Sequence, residues 1–200
     1  MALSVQAVFF PGVIFHELSH LIACWCFGVK VRKIKLFGTK EAFVEHDKPN
    51  AWQSLGITIA PFILGNIFSF ALFFSAKDLF VGASGMAIVF CWFGFSLALF
   101  SFPSEQDAMN AFGSFTGFYK NALFGKKSVL PKLLWLLLLP FIFVPLFLLL
   151  GFFLVFDRFL ALRVVWMVAV FFFSFNATTF FDIAAMLDSA LKSAFSLFFG

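Results

Sequence analysis

Charged residues are scarce in this chain: aspartate, glutamate, lysine and arginine make up 12% of its 200 residues, whereas hydrophobic residues make up 62%. Soluble domains usually contain about 25% charged residues, so this composition leaves no room for a sizeable soluble domain. It predicts an integral membrane protein that crosses the bilayer several times. The net charge of +4 is ordinary for such a protein, and we expect no nucleic-acid partner.

Two signals of secretion are missing as well. The chain has three cysteines, Cys24, Cys26 and Cys91, and an odd number in apolar segments argues against a set of disulfides. The N-terminus lacks the basic start of a secretory signal peptide, and a polar motif interrupts its apolar run. We therefore expect buried thiols and a first segment that is not a cleaved signal.

Apolar runs long enough to cross a bilayer, about 20 residues, cover five stretches of the chain. They are residues 3–28, 51–76, 79–102, 129–156 and 159–181. The tail 182–200 is amphipathic and would lie at the interface or extend the last helix. The predicted fold is an all-α polytopic membrane protein of about five to six transmembrane helices.

Basic residues predict the orientation, because lysine and arginine accumulate in cytoplasmic connections. The connections after the first and third runs hold Lys30, Arg32, Lys33, Lys35, Lys40, Lys48, Lys120, Lys126, Lys127 and Lys132. We expect these two basic connections to be cytoplasmic and the N-terminus to lie outside, in a multi-pass protein of the lipid bilayer.

The first run contains the sequence His16-Glu17-Leu18-Ser19-His20. Residues i and i+4 share a helix face, so His16 and His20 can bind one zinc ion, while Glu17 can take a proton from water. The chain holds only three histidines and four glutamates, and shuffling it would produce this motif about once in a thousand trials. The alternative is a pair of core histidines satisfied by hydrogen bonds.

Catalytic zinc usually takes three protein ligands, and the third must lie at the same depth. Pro103 breaks the third run and precedes Ser104-Glu105-Gln106-Asp107; non-helical backbone is tolerated in a membrane where it lines a cavity. Asp107 is the predicted third ligand and Glu105 the second choice. The alternative is a polar loop at the interface.

Other polar residues are weaker candidates. His46 lies in a hydrophilic loop and is expected to be solvated, and Asp157 is expected to pair with Arg158. Cys24 lies one turn beyond His20, and we interpret it as a small buried hydrophobic residue.

The chain resembles the site-2 protease family of intramembrane zinc metalloproteases over residues 5–115. In that family, one span supplies two histidine ligands and the glutamate base, and an aspartate near the end of the second following span supplies the third ligand. His16, Glu17, His20 and Asp107 match those roles in order. The aspartate here lacks the glycine that often follows it in the family.

The resemblance also implies a membrane-associated β-hairpin after the motif helix. Residues 31–37 and 42–46, around Gly38-Thr39, match it, and its edge could pair with an unwound substrate. The alternative is a basic anchor on lipid headgroups. The family places an asparagine in its middle span, where Asn66 would bind substrate or stabilise an oxyanion; equally, it could bond to a neighbouring helix.

We therefore expect an intramembrane zinc metalloprotease acting on transmembrane proteins or peptides, as in regulated intramembrane proteolysis, with one zinc ion. Its catalytic core would be residues 1–128, with a hairpin at 30–48; residues 129–200 would add two spans and the tail. The alternatives are an inactive relative that binds membrane clients and, ranked lower, a metal transporter. Substrate and oligomeric state have no signal in the sequence.

Overall fold

The computed structural model describes residues 3–36, 42–82, 84–125 and 129–177. This part of the chain is mostly helical and contains one small antiparallel sheet. Its helices are α1 (Leu3–Val8), α2 (Phe10–Cys26), α3 (Ala51–Val81), α4 (Met86–Leu99), α5 (Glu105–Phe124), α6 (Val129–Arg158) and α7 (Leu160–Phe175). The predicted turn at Gly38-Thr39 and the tail 182–200 lie outside the described residues.

The two predicted strands are confirmed as an antiparallel pair. Strands β1 (Val31–Lys35) and β2 (Phe43–His46) pair antiparallel, with Ile34 opposite Val44 and an irregular register near the start of β1. Gly28, which follows α2, has a φ of 67°, a left-handed conformation that glycine adopts without steric cost. This turn ends α2 and directs the chain into β1, so that β2 contacts α2.

The first apolar run forms two helices rather than one. Pro11 has no N–H to donate and its ring clashes with the preceding turn, so α1 ends before Phe9 and α2 begins at Phe10. A side chain of α4 bridges the break: Ser96 Oγ donates to the carbonyl of Phe9 and accepts from the amide of Gly12, both at 2.7 Å.

The second helix is longer than its apolar run. An Asn50–Gln53 capping box starts α3, and the helix continues through Lys77 and Asp78 to Val81. The two charged residues therefore do not end it, and the next helix, α4, begins at Met86 rather than near residue 79.

Sequence analysis did not anticipate α5. It occupies the connection between the third and fourth runs and is amphipathic, with a buried face of Ala108, Ala111, Phe115, Tyr119 and Ala122. The first four of these residues pack in the largest buried cluster together with Ala51 of α3 and Leu150 of α6. The opposite face of α5 is exposed.

Of the described helices, two are long and apolar enough to cross a membrane, namely α3 and residues 132–158 of α6. Helices α4 and α7 are apolar but shorter, with 14 and 16 residues. Length and composition thus give weak support for membrane association. The cysteines differ from expectation at one position, because Cys24 and Cys91 are buried while Cys26 is exposed.

Candidate metal centre

The two histidines of the motif lie side by side on α2, as their spacing predicts. Their Nε2 atoms are 3.2 Å apart, and each Nδ1 atom lies 2.9 Å from a main-chain carbonyl oxygen, that of Phe100 for His16 and that of Ile57 for His20. A carbonyl can only accept, so the network assigns the proton of each ring to Nδ1. Both Nε2 lone pairs then point to the same place.

Prolines explain why these two carbonyls are available. Pro61 lies inside α3 and has no N–H, so the carbonyl four residues earlier, that of Ile57, loses its helical partner. Pro103 follows the end of α4 and prevents it from continuing, which leaves the carbonyl of Phe100 at a helix C-terminus without a helical donor. A missing hydrogen bond inside α3 and the end of α4 therefore leave the two carbonyls that orient the histidine rings.

Asp107 completes the cluster from the first turn of α5. Its Oδ2 atom lies 3.4 Å from Nε2 of His20 and 3.8 Å from Nε2 of His16. The same oxygen accepts from the amide and the hydroxyl of Ser104, at 3.0 and 2.6 Å, in the capping box that starts α5. One ligand atom from each of the three residues lies within 4.8 Å of the others.

Glu105, the second choice for the third ligand, is placed differently. Its side chain is exposed, and its amide donates to Oδ2 of Asp157 at 3.2 Å. Among the described residues, the set that can hold a metal is His16, His20 and Asp107.

The donor set fits zinc. With both Nδ1 protons donated to carbonyls, the converging atoms are two imidazole lone pairs and a carboxylate oxygen, three acceptors with no proton of their own between them. Such a cluster is unfavourable unless a proton or a metal cation lies between the three atoms. Two nitrogens and one oxygen are ligands that zinc accepts, leaving a fourth position open, and the Nδ1–carbonyl bonds are the outer contacts usual for ligating histidines.

Glu17 stands beside this cluster rather than in it. Its side chain is half-buried, faces the main chain of Val44 in β2 and lies within electrostatic range of His16, His20 and Asp107. A carboxylate next to, but outside, the ligand set is placed to exchange protons with a molecule held there.

Comparison with protein families found a match to the motif region of the chain. The family model DUF3267, described as "Putative zincin peptidase", matches residues 9–106. This match suggests a zinc metallopeptidase. The matched region contains α2 with its motif, the hairpin, α3 and α4, and it ends one residue before Asp107. Neither the curated proteins nor the solved structures contain a significant match.

Asn66 makes contacts with neighbouring helices. Its Nδ2 donates to the carbonyl of Phe62 at 2.7 Å and to Oγ of Ser101 at 3.2 Å, and its Oδ1 accepts from Nε1 of Trp166 at 2.8 Å. These contacts link α3 to the end of α4 and to α7. They agree with the alternative that Asn66 bonds to neighbouring helices. The structure does not bring Asn66 into the ligand cluster.

The remaining candidates are accounted for by other contacts. Asp157 pairs with Arg163 rather than with Arg158, because the chain reverses between α6 and α7. Cys24 is buried against Ile57 and Ala60, as expected of a small hydrophobic residue.

Asp107 also lines a cleft of about 730 Å³ that sequence analysis missed. The cleft lies between the β2–α3 connection, the first turns of α3 and the exposed face of α5. His46, half-buried, lies on its rim rather than in open solvent, with Nδ1 bonded to the carbonyl of Asp47 at 2.8 Å. The available signal was the spacing of small and polar residues at 110, 113, 114, 117 and 121, which share one face of a helix.

Proposed function

We propose that this protein is an intramembrane zinc metalloprotease of the site-2 protease type, which hydrolyses peptide bonds of transmembrane substrates. The observation that carries the proposal is the convergence of Nε2 of His16, Nε2 of His20 and Oδ2 of Asp107 beside the carboxylate of Glu17. The family match supports the peptidase class. The apolar α3 and α6 support the membrane setting.

In this proposal the helices α1–α2, α3, α4, α6 and α7 cross the bilayer, and the basic hairpin faces the cytoplasm. The exposed surface of α6 supports that setting, since only 11% of the most apolar 18-residue segment of this helix is buried inside the protein. Ionisable residues placed inside such a bundle usually serve a function.

His16, His20 and Asp107 would hold the zinc ion. Bound zinc supplies a Lewis acid that polarises the scissile carbonyl and lowers the pKa of water toward neutral. Glu17 takes the proton of the attacking water and later delivers it to the leaving amide nitrogen. Ser104 holds Asp107 in place through its amide and hydroxyl.

The substrate must be unwound, because helical amides are shielded by their own hydrogen bonds. The sheet has two strands, and Glu17 faces the main chain of β2 at Val44. We propose that an unwound segment adds to the hairpin edge, which would hold its peptide bonds extended beside Glu17.

Zinc content tests the ligand set. We expect about one zinc per purified wild-type chain by elemental analysis, and little in Asp107→Ala, because two histidines alone are a weak site. The matched control is Glu105→Ala, which removes an exposed side chain two residues before Asp107. This variant should keep its zinc. Zinc retained in Asp107→Ala would move the third ligand elsewhere. A wild-type chain that takes up no added zinc would favour a non-catalytic, client-binding protein.

A further inference from the structure

The cleft beside Asp107 runs along α5 as a groove. Two contacts give its direction: Thr58 Oγ1 donates to the carbonyl of Asp107 at 3.1 Å, and the rings of Trp52 and Phe115 lie 5.2 Å apart. Helix α5 therefore runs antiparallel to the start of α3, away from the metal centre and toward the basic connection between the hairpin and α3.

We call this feature the α5 groove. Its α5 side is formed by Asn110, Gly113, Ser114, Gly117 and Asn121, and its other side by residues 46–51 and the first turns of α3. From Asp107 to Asn121 the helix rises about 21 Å at 1.5 Å per residue. An extended chain advances about 3.3 Å per residue, so the groove is as long as about six extended residues.

The groove is lined by polar groups that are available to a ligand. Asn110 and Asn121 are exposed, and their side-chain amides form no hydrogen bond with any residue that the structure describes. Each amide offers both donors and an acceptor, which is what the main chain of an extended peptide requires. An acyl chain would leave these groups unpaired.

Two glycines leave open space in the wall of the groove. A Cβ atom added at Gly113 or at Gly117 would meet no atom within 4 Å. The two positions lie about 6 Å apart along the helix, close to the roughly 6.6 Å that separates alternate side chains of an extended chain. Two side chains on the same face of a bound peptide could therefore lie over these glycines.

We propose that the α5 groove binds the extended substrate segment that leads from the scissile bond toward the hairpin–α3 connection, with alternate side chains over Gly113 and Gly117. The proposal rests on the proposed protease function and adds where the substrate lies and which residues select its side chains. Asp107 joins the two sites, because it belongs to the ligand set and also lines the groove.

Photo-cross-linking tests occupancy without requiring turnover. The full chain in detergent micelles carries p-benzoylphenylalanine at Asn121, and it is irradiated with a library of random twelve-residue peptides. The matched control carries the same group at Phe124, which lies one turn further along α5, is 83% exposed and does not line the groove. We expect cross-linked peptide at Asn121 at about ten times the level found at Phe124. Equal levels would overturn the proposal.

Substitution of the glycines tests selection by size. We expect Gly113→Phe and Gly117→Phe to lower cross-linking at Asn121 about tenfold, an effect typical of altered side-chain pockets, and to keep their zinc. Remaining cleavage should shift to peptides with glycine, alanine or serine at two positions two residues apart. Gly151→Phe is the control, since Gly151 on α6 also has open space at its Cβ. Unchanged cross-linking and an unchanged cleavage profile would overturn the proposal.

The two proposals fail in different ways. One outcome is that zinc is bound and peptides are cross-linked at Asn121 in a way that depends on Gly113 and Gly117, but no peptide is cleaved. This outcome would support the groove proposal and contradict the protease proposal. Suppose instead that Gly113→Phe and Gly117→Phe lower the cleavage of all peptides equally and that no peptide is cross-linked at Asn121. The groove would then admit only water, which would contradict the groove proposal but not the protease proposal.

Discussion

Glu17 and Asp107 are both carboxylates beside the same two histidines, yet their surroundings give them different chemistry. Asp107 is fixed by two hydrogen bonds from Ser104 and points its Oδ2 at the Nε2 atoms. Glu17 has no place in the ligand cluster and faces the main chain of β2. A carboxylate that hydrogen bonds aim at the two Nε2 atoms suits a metal ligand, whereas one beside the donor set suits proton transfer.

Glu17→Gln separates these roles. We expect peptide hydrolysis to fall by about 10²–10⁴-fold, because glutamine cannot accept the proton of water, while about one zinc per chain remains because the ligands are untouched. The measurements are cleavage of the random peptide library and elemental analysis of the same preparation. Full activity in this variant would exclude Glu17 as the base.

At the residue scale, sequence spacing alone was enough for part of the site. The i, i+4 spacing placed His16 and His20 on one face, and that pairing depends only on helix geometry. The choice of Asp107 over Glu105 also had a local signal, because Ser104 and Asp107 have the spacing of a capping box. The contacts of Asn66 had none, since its partners Ser101 and Trp166 are 35 and 100 residues away.

At the scale of elements, the start of α5 positions the Asp107 carboxylate in the candidate metal centre. Ser104 caps the helix through its hydroxyl, which accepts from the amide of Asp107 and donates to Oδ2 of the same residue. The cap therefore sets both the first turn of α5 and the direction of the Asp107 carboxylate.

Ser104→Ala removes this hydroxyl. We expect a loss of about 1 kcal/mol in the free energy of unfolding, typical of a lost cap, and a zinc affinity about tenfold lower, as for other outer contacts of metal ligands. Competition with a chelator measures the affinity. The control is Thr116→Ala, which removes a hydroxyl bonded only to the carbonyl of Gly113 in the same helix. Equal zinc affinity in the two variants would contradict this role of the cap.

Elements were predictable where a local pattern defines them. The hairpin was predicted from the family resemblance and the turn residues Gly38-Thr39, and the long apolar helices were predicted from hydropathy. The break before Phe10 had a local cause in Pro11, but its bridging partner Ser96 lies on α4. Helix α5 was missed because the search followed apolar length, whereas its buried residues recur every three or four positions among small polar ones.

At the scale of the whole molecule, α2, α3 and α4 approach one another through small residues. Gly12 lies against the main chain of Ser96, Gly65 lies against Ser101, and Ser69 Oγ donates to the carbonyl of Gly94 at 2.8 Å. In a bilayer the hydrophobic effect does not drive helices together, and close packing of small residues with hydrogen bonds replaces it. Hydropathy could not predict which faces of α3 and α4 meet their neighbours, because neither helix has a distinct polar face.

Gly12→Ala tests this packing and its link to the metal centre. A Cβ at this position would overlap the main-chain carbonyl of Ser96, so α2 and α4 must separate, at about 1–3 kcal/mol for an overpacked contact. Alanine gains up to about 1 kcal/mol in helix propensity, so at the full gain the net loss of stability is up to about 2 kcal/mol. Because Phe100 at the end of α4 orients His16, the separation should also weaken zinc binding.

The matched control is Gly151→Ala on α6, where a Cβ meets no atom within 4 Å and only the gain in helix propensity remains. Thermal unfolding and chelator competition in the same micelles compare the two variants. We expect Gly12→Ala to unfold at a lower temperature than wild type and to release zinc more readily, and Gly151→Ala to match or exceed wild type in both. If Gly12→Ala were as stable as Gly151→Ala, the contact between α2 and α4 would be too loose to position His16, and the ring orientation would have to depend on α2 and α3 alone.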